Sequence, residues 1–252
     1  MTENDPFAPG TVEGQVAAIL TETARTVTTT GGVHPAREGL DREMREIKDD
    51  NLRMGSFVEE SIRAAISALA AHDAAAATEV IIADGRINEM QREVSGLITR
   101  TIATQSPVAR DLRFLLSLDH VGYELERMGD HAASVAKQVR KLAPHPPLKE
   151  YVDLPAMGEL AAQLVGGILR ALIDVDVEAA RRVAARDDEI DTLYHRTFDE
   201  VLGLMRADPS NVDRGTRILF AAYYLERIGD RVTNVAEDVV FLASGEIEDL
   251  NP

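Results

Sequence analysis

From Leu40 onward, apolar side chains recur at spacings of mostly three and four: Leu40, Met44, Ile47, Leu52, Phe57, Val58, Ile62, Ala65, Ile66 and Leu69. On a 3.6-residue period these positions share one face, which predicts a long amphipathic helix. Asp73 then stands where an N-cap belongs, just before Ala74–Ala77. A second helix is predicted through Val80, Ile81, Ile87, Met90, Val94, Leu97 and Ile98, and Ser106-Pro107 ends it. A third follows with Leu112, Leu115, Leu116, Val121, Leu125, Met128, Ala132, Val135 and Val139, before Pro144, Pro146 and Pro147 mark a linker.

The pattern then starts again. Asp176-Val177-Glu178-Ala179-Ala180 stands 103 residues after Asp73-Ala74-Ala75-Ala76-Ala77, and Asp187, Ile190 and Asp191 match Asp84, Ile87 and Asn88 at the same offset. Residues 223–230 match residues 123–130 at an offset of 100, with six of eight positions identical. The drop in offset predicts a connection between second and third helices that is three residues shorter in the second copy. An all-α fold of two tandem three-helix bundles, arising from internal duplication, is the expectation. It divides the chain into a flexible N-terminal extension (1–36), a first bundle (37–143), a linker (144–150), a second bundle (151–245) and a C-terminal tail (246–252).

Composition agrees: Ala, Leu, Glu and Arg are plentiful, aromatic residues make up 4% and Trp is absent, which favours helices over a sheet. The 43 acidic residues outnumber 27 basic ones, for a net charge of −16. Such a field repels phosphate backbones and anionic membranes, so no nucleic acid and no direct membrane contact are expected. With no Cys, thiol chemistry and disulfides are excluded. The opening residues lack the basic and apolar runs of a secretion signal, and the best apolar stretch, Leu160–Leu169, is short. A cytoplasmic location is expected.

Candidate chemistry lies in Glu-Arg-X-Gly-Asp, present in each third helix as Glu126 with Asp130 and Glu226 with Asp230. A spacing of four sets both carboxylates on one face, where like charges cost roughly 0.2–0.5 kcal/mol per pair. Solvent, arginine or a cation must offset that. On the second helices Asp84 with Asn88, and Asp187 with Asp191, repeat the spacing and could face the first set. Glu followed by Arg is also what an ordinary solvated, salt-bridged face looks like. Repetition in register, with Gly129 and Gly229 before each Asp, favours a metal site, because a mid-helix Gly costs about 1 kcal/mol and usually marks close packing. An all-oxygen set suits Mg, Mn or Fe rather than a closed structural zinc site. His120 and His131 have no histidine counterparts in the second copy and are expected to be packing or surface residues. No phosphate-binding glycine loop or nucleophile elbow occurs.

Taken together, the repeated Glu-Arg-X-Gly-Asp and the segment Gln105-Ser106-Pro107-Val108-Ala109-Arg110-Asp111-Leu112-Arg113 resemble the PhoU family over residues 37 to 245. The resemblance implies two three-helix bundles, with metal ions (Mg, Mn, Fe or Zn, in some members multinuclear) on Asp84, Asn88, Glu126, Asp130, Asp187, Asp191, Glu226 and Asp230. It also implies a homodimeric, non-enzymatic adaptor between the ATPase of the phosphate ABC transporter and a sensor histidine kinase. Such an adaptor meets the membrane only through its partners and represses the phosphate-starvation response when phosphate is plentiful. Asn88 departs from the family's acid, and Ser210–Gly215 lacks the Gln-X-Pro-X-Ala signature. Two other readings compete: a metal-dependent enzyme, either a phosphohydrolase or a carboxylate-bridged metal oxidase, and a structural network in which Arg127 and Arg227 pair with the acids.

Overall fold

The structure, a computed structural model, describes residues 35–148, 150, 151 and 153–250. The expected extension over residues 1–36 lies almost wholly outside the described residues. Among the described residues there are helices and no strand: α1 (Pro35–Ala71), α2 (Ala74–Gln105), α3 (Ala109–Leu142), α4 (Asp153–Asp174), α5 (Val177–Ala184), α6 (Asp187–Ala207) and α7 (Val212–Ser244), with a 3-10 turn at Pro209–Asn211. Contacts divide the chain at Asp41, and everything below concerns the unit from Arg42 onward.

The duplication is visible in backbone geometry. His72 and Val175, 103 residues apart, both adopt left-handed conformations, with φ of 53° and 51°. In each turn the following Asp amide donates back across the helix end, Asp73 to Ala68 and Asp176 to Ala171, both at 2.9 Å. That pattern closes the preceding helix. The same aspartates then cap the next one: Asp73 accepts from the amides of Ala75 and Ala76, and Asp176 from Ala179.

Apolar faces bury as their spacing predicts. Ile47, Met54, Val58 and Ile62 of α1 have no exposed surface, nor do Leu115, Leu118, Leu125 and Met128 of α3. Each such side chain contributes roughly 1.5–3 kcal/mol by leaving water. One core runs through both halves, because α3 lies against α7 and α1 packs tightly on α4. Methyl groups at Gly55 and Gly158 would collide with Leu169 and Ile66 across that second contact. Helix α4 is long and apolar enough to cross a membrane by length and composition, and 67% of its apolar window is buried inside the protein.

Two expectations need correction. The second helix of the second copy is not continuous: it breaks at Ala185–Arg186 into α5 and α6. Arg186 donates to Val183 and Glu189 to Arg186, three-residue steps that tighten the chain locally. Neither Gly nor Pro lies between Val177 and Ile190 to signal this. Nor is the second copy's connection between second and third helices the shorter one. Residues 106–108 link α2 to α3, and residues 208–211 link α6 to α7. The three extra residues of the first copy, Ala109–Asp111, form the opening of α3 instead.

Candidate metal centre

Each repeated acid motif lies where a third helix packs on a second helix at a glycine. A methyl group at Gly229 would strike the Asp187 carboxylate and come within 3.2 Å of Ile190. At Gly129 it would meet Ile87 at 2.9 Å and Asp84 Oδ1 at 3.3 Å. The glycine thus lets the facing aspartate enter the helix contact, in both halves. The break before α6 sets Asp187 in that helix's first turn, where the helix dipole favours a carboxylate.

Asp187 is 5% exposed, and neither of its carboxylate oxygens has a hydrogen-bond partner. Burial first, then Asp230 of α7, Asp191 one turn along its own helix and Glu226 of α7, push its pKa up to about 7. Burial and Glu226 raise Asp191 as well. They also raise Asp230, although Arg227 opposes the shift. The second half therefore gathers all four candidate acids, Asp187, Asp191, Glu226 and Asp230, into one mutually repelling set. Arg227 partly neutralises it, gripping Glu226 through Nε and Nη2 at 2.8 and 2.9 Å and reaching Asp230 at 2.6 Å.

The first half carries less charge. Burial and Asp130 raise the pKa of Asp84 and of Glu126. Asn88 donates to Asp84 Oδ2 at 3.4 Å, while Asn88 Oδ1 and Asp84 Oδ1 are buried without partners. Arg127 stands 3.8 Å from Glu126, a looser grip than that of Arg227. Among the described residues no three Asp, Glu or His side chains converge as closely as a preformed metal cage. The donor chemistry nevertheless fits a hard cation: oxygen ligands only, several of them buried and unsatisfied.

The two histidines make contacts of their own between α3 and α7. His120 Nδ1 is 2.7 Å from Asp238, and its Nε2 is 3.5 Å from Glu124, so it ties α3 to α7; its hydrogen bond to Asp238 raises its pKa. His131 stacks on Tyr224 with ring centroids 5.9 Å apart, and burial, with Arg231 nearby, lowers its pKa to about 4. The helical spacing of His120 and Glu124, and Arg231 at the place of His131, are visible in the sequence; the pairing of Glu124 with Arg231 and the part of Asp238 are not. Glu124 is buried and meets Arg231 of α7 at 3.5 Å. Its counterpart 100 residues on is Tyr224, and the counterpart of Arg231 is His131. The ion pair and the ring stack are thus the same helix contact made twice, in reversed order.

Arg113, from the Gln105–Arg113 segment, lays its guanidinium 3.6 Å from where a Cβ on Gly245 would stand, at the end of α7. Gln105 donates to Glu43 of α1 at 3.2 Å. The segment, which links α2 to α3, therefore also touches α1 and the end of α7.

The PhoU domain family model matches residues 52–139 and again 154–239. The phosphate-specific transport system accessory protein PhoU homolog of Clostridium acetobutylicum is 37% identical over 219 residues, covering 85% of this chain and 99% of the relative. The homolog of the same description from Streptococcus pneumoniae is 34% identical over 215 residues, covering 85% and 100%. A crystal structure of PhoU from Pseudomonas aeruginosa superposes with a TM-score of 0.78 at 32% identity, over 82% of this chain and 99% of that one. The phosphate transport system regulatory protein PhoU from Streptococcus pneumoniae gives 0.78 at 33% identity, over 83% and 99%.

Proposed function

The chain belongs to the PhoU family, and on that premise we propose that it is a cation-binding regulatory adaptor of phosphate homeostasis. It works in the cytoplasm without turnover, as a homodimer. It contacts the ATPase of the phosphate ABC transporter and a sensor histidine kinase, and it keeps the starvation response off when phosphate is plentiful. The relatives' descriptions as transport-system accessory and regulatory proteins support this reading.

The observation that carries the cation reading is Asp187, a buried carboxylate without a single donor, beside Asp191 and facing Glu226 and Asp230. Asp187, Asp191, Glu226 and Asp230 would hold the ion in the second half; Asp84, Glu126 and Asp130, with the neutral Asn88, would form the weaker set. When bound, the ion supplies the positive charge that lets these carboxylates share one face. Arg227 holds Glu226 and Asp230 in register, and the glycine contact orients Asp187. The test is a deletion strain carrying a phosphate-starvation reporter. Expression at high phosphate, silenced again by the wild-type gene, is expected. A reporter still silent in the deletion strain at high phosphate removes the adaptor role.

A further inference from the structure

The chain has 5 Tyr and 6 Phe, and more than half of them fall on α6 and α7: Phe241, near the end of α7, and a group of Tyr194, Phe198, Phe220, Tyr223 and Tyr224. The rings of that group form a pair on α6 and a run of three on α7, and Tyr194 of α6 lies within electrostatic reach of Tyr223 of α7. Tyr194 and Phe198 stand 6.3 Å apart between centroids, Phe220 and Tyr224 6.4 Å, and Tyr223 and Tyr224 5.6 Å. The two helices run antiparallel, since Asp187 meets Gly229 at one end and Met205 meets Gly215 at the other. That register brings Tyr194 level with Tyr223 and Phe198 level with Phe220. The patch faces solvent: Phe198, Phe220 and Tyr223 are 38%, 44% and 41% exposed.

Four of these five positions carry no Tyr or Phe in the first half, although Tyr194 and Tyr224 also pack against the core. The first half builds the same helix pair with Gln91, Ser95, His120 and Glu124 where the second has Tyr194, Phe198, Phe220 and Tyr224. The surroundings are acidic. Apart from Asp187 and Asp191, which belong to the candidate cation set, and Glu189, which pairs with Arg186, helix α6 carries Asp188, Asp199 and Glu200 against Arg196 and Arg206, and Arg196 is engaged with Asp153. At the edge, the Arg227 guanidinium already lies 5.4 Å from the centre of the Tyr223 ring. Ring faces attract cations, and neighbouring carboxylates accept the planar fork of a guanidinium in a way they cannot match for an ammonium.

We propose that this aromatic, acid-rimmed patch docks an arginine-rich segment of a partner protein. The inference rests on the adaptor reading and assigns it one surface, confined to the second half. It fails separately from that reading, because peptide binding involves no phosphate signalling.

The test is fluorescence anisotropy of the purified full chain with a labelled peptide of alternating Arg and Gly, beside Lys-Gly and Glu-Gly peptides of equal length. Tyr194→Gln/Phe198→Ser writes the first half's residues into the second without changing net charge. Binding of the Arg peptide about tenfold weaker in that variant is expected, as is weaker binding of the Lys peptide to the wild type. Tyr123→Ala, at the first half's only matching ring, should bind as wild type does. If circular dichroism finds the double variant unfolded, Phe220→His, a single substitution also taken from the first half, carries the same expectation with a smaller loss. Equal affinity in folded variant and wild type overturns the proposal and leaves only bulk charge attraction. So does a variant that changes sedimentation, which would assign the patch to a second copy of this chain.

Discussion

Asp187 rests directly on Gly229, with no room for a methyl group between the two helices. The Gly229→Ala variant must push the carboxylate away from Asp191, Glu226 and Asp230. A stability loss of about 1–2 kcal/mol is expected from overpacking, together with reduced cation retention. Gly129→Ala meets mainly the Ile87 side chain, and Ala gains roughly 1 kcal/mol of helix propensity over Gly, so its net change should be smaller. Calorimetry of both variants beside elemental analysis checks the order.

Asp187 also predicts a pH dependence. Its pKa of about 7 in the folded protein lies above the value of about 3.9 in an unfolded chain. Between those values the folded state binds more protons, so stability falls as pH rises, and the full penalty persists above 7. Asp187→Asn removes the ionisable group. In chelator, the variant should melt near wild type at pH 5 and higher than wild type at pH 8. A gain at pH 5 alone would contradict the buried, repelled carboxylate.

Arg227 bridges Glu226 and Asp230, so it both supports the acids and competes for them. Arg227→Gln should lower the melting temperature in chelator and recover most of the loss on addition of Mn²⁺. A structural ion-pair network without a cation predicts no recovery.

The contact between halves makes a further prediction. Arg231→Met leaves Glu124, 6% exposed, with His120 as its remaining ionic partner. A loss of about 1–3 kcal/mol is expected in urea unfolding. Adding Glu124→Tyr and placing His at 231 copies the His131–Tyr224 stack, and this double variant should lose less.

Much of this was legible in the residues. Period and offset predicted helices, the duplication and the aspartate caps, because spacing alone decides which side chains share a face. The candidate acids at 84, 126, 130, 187, 191, 226 and 230 were singled out by their registered repetition, and the glycines by their cost inside a helix. The break at Ala185–Arg186 was not legible, since it uses residues that suit a helix and tightens by backbone bonding alone. The extra three residues were assigned to a loop, because a change of offset does not say which element absorbs it. The Glu124–Arg231 pair depends on how α3 lies on α7, which one chain's periodicity leaves open. Its trace was present nonetheless: both partners change together between the copies, Glu with Arg in one arrangement and Tyr with His in the other.

The account depends above all on the second half's four carboxylates sharing a cation. Elemental analysis of protein purified without chelator, wild type beside Glu226→Ala/Asp230→Ala, reads this directly. A bound divalent or iron-type ion in the wild type that falls sharply in the double variant is the predicted result. Metal content unchanged between the two, in folded protein, contradicts it.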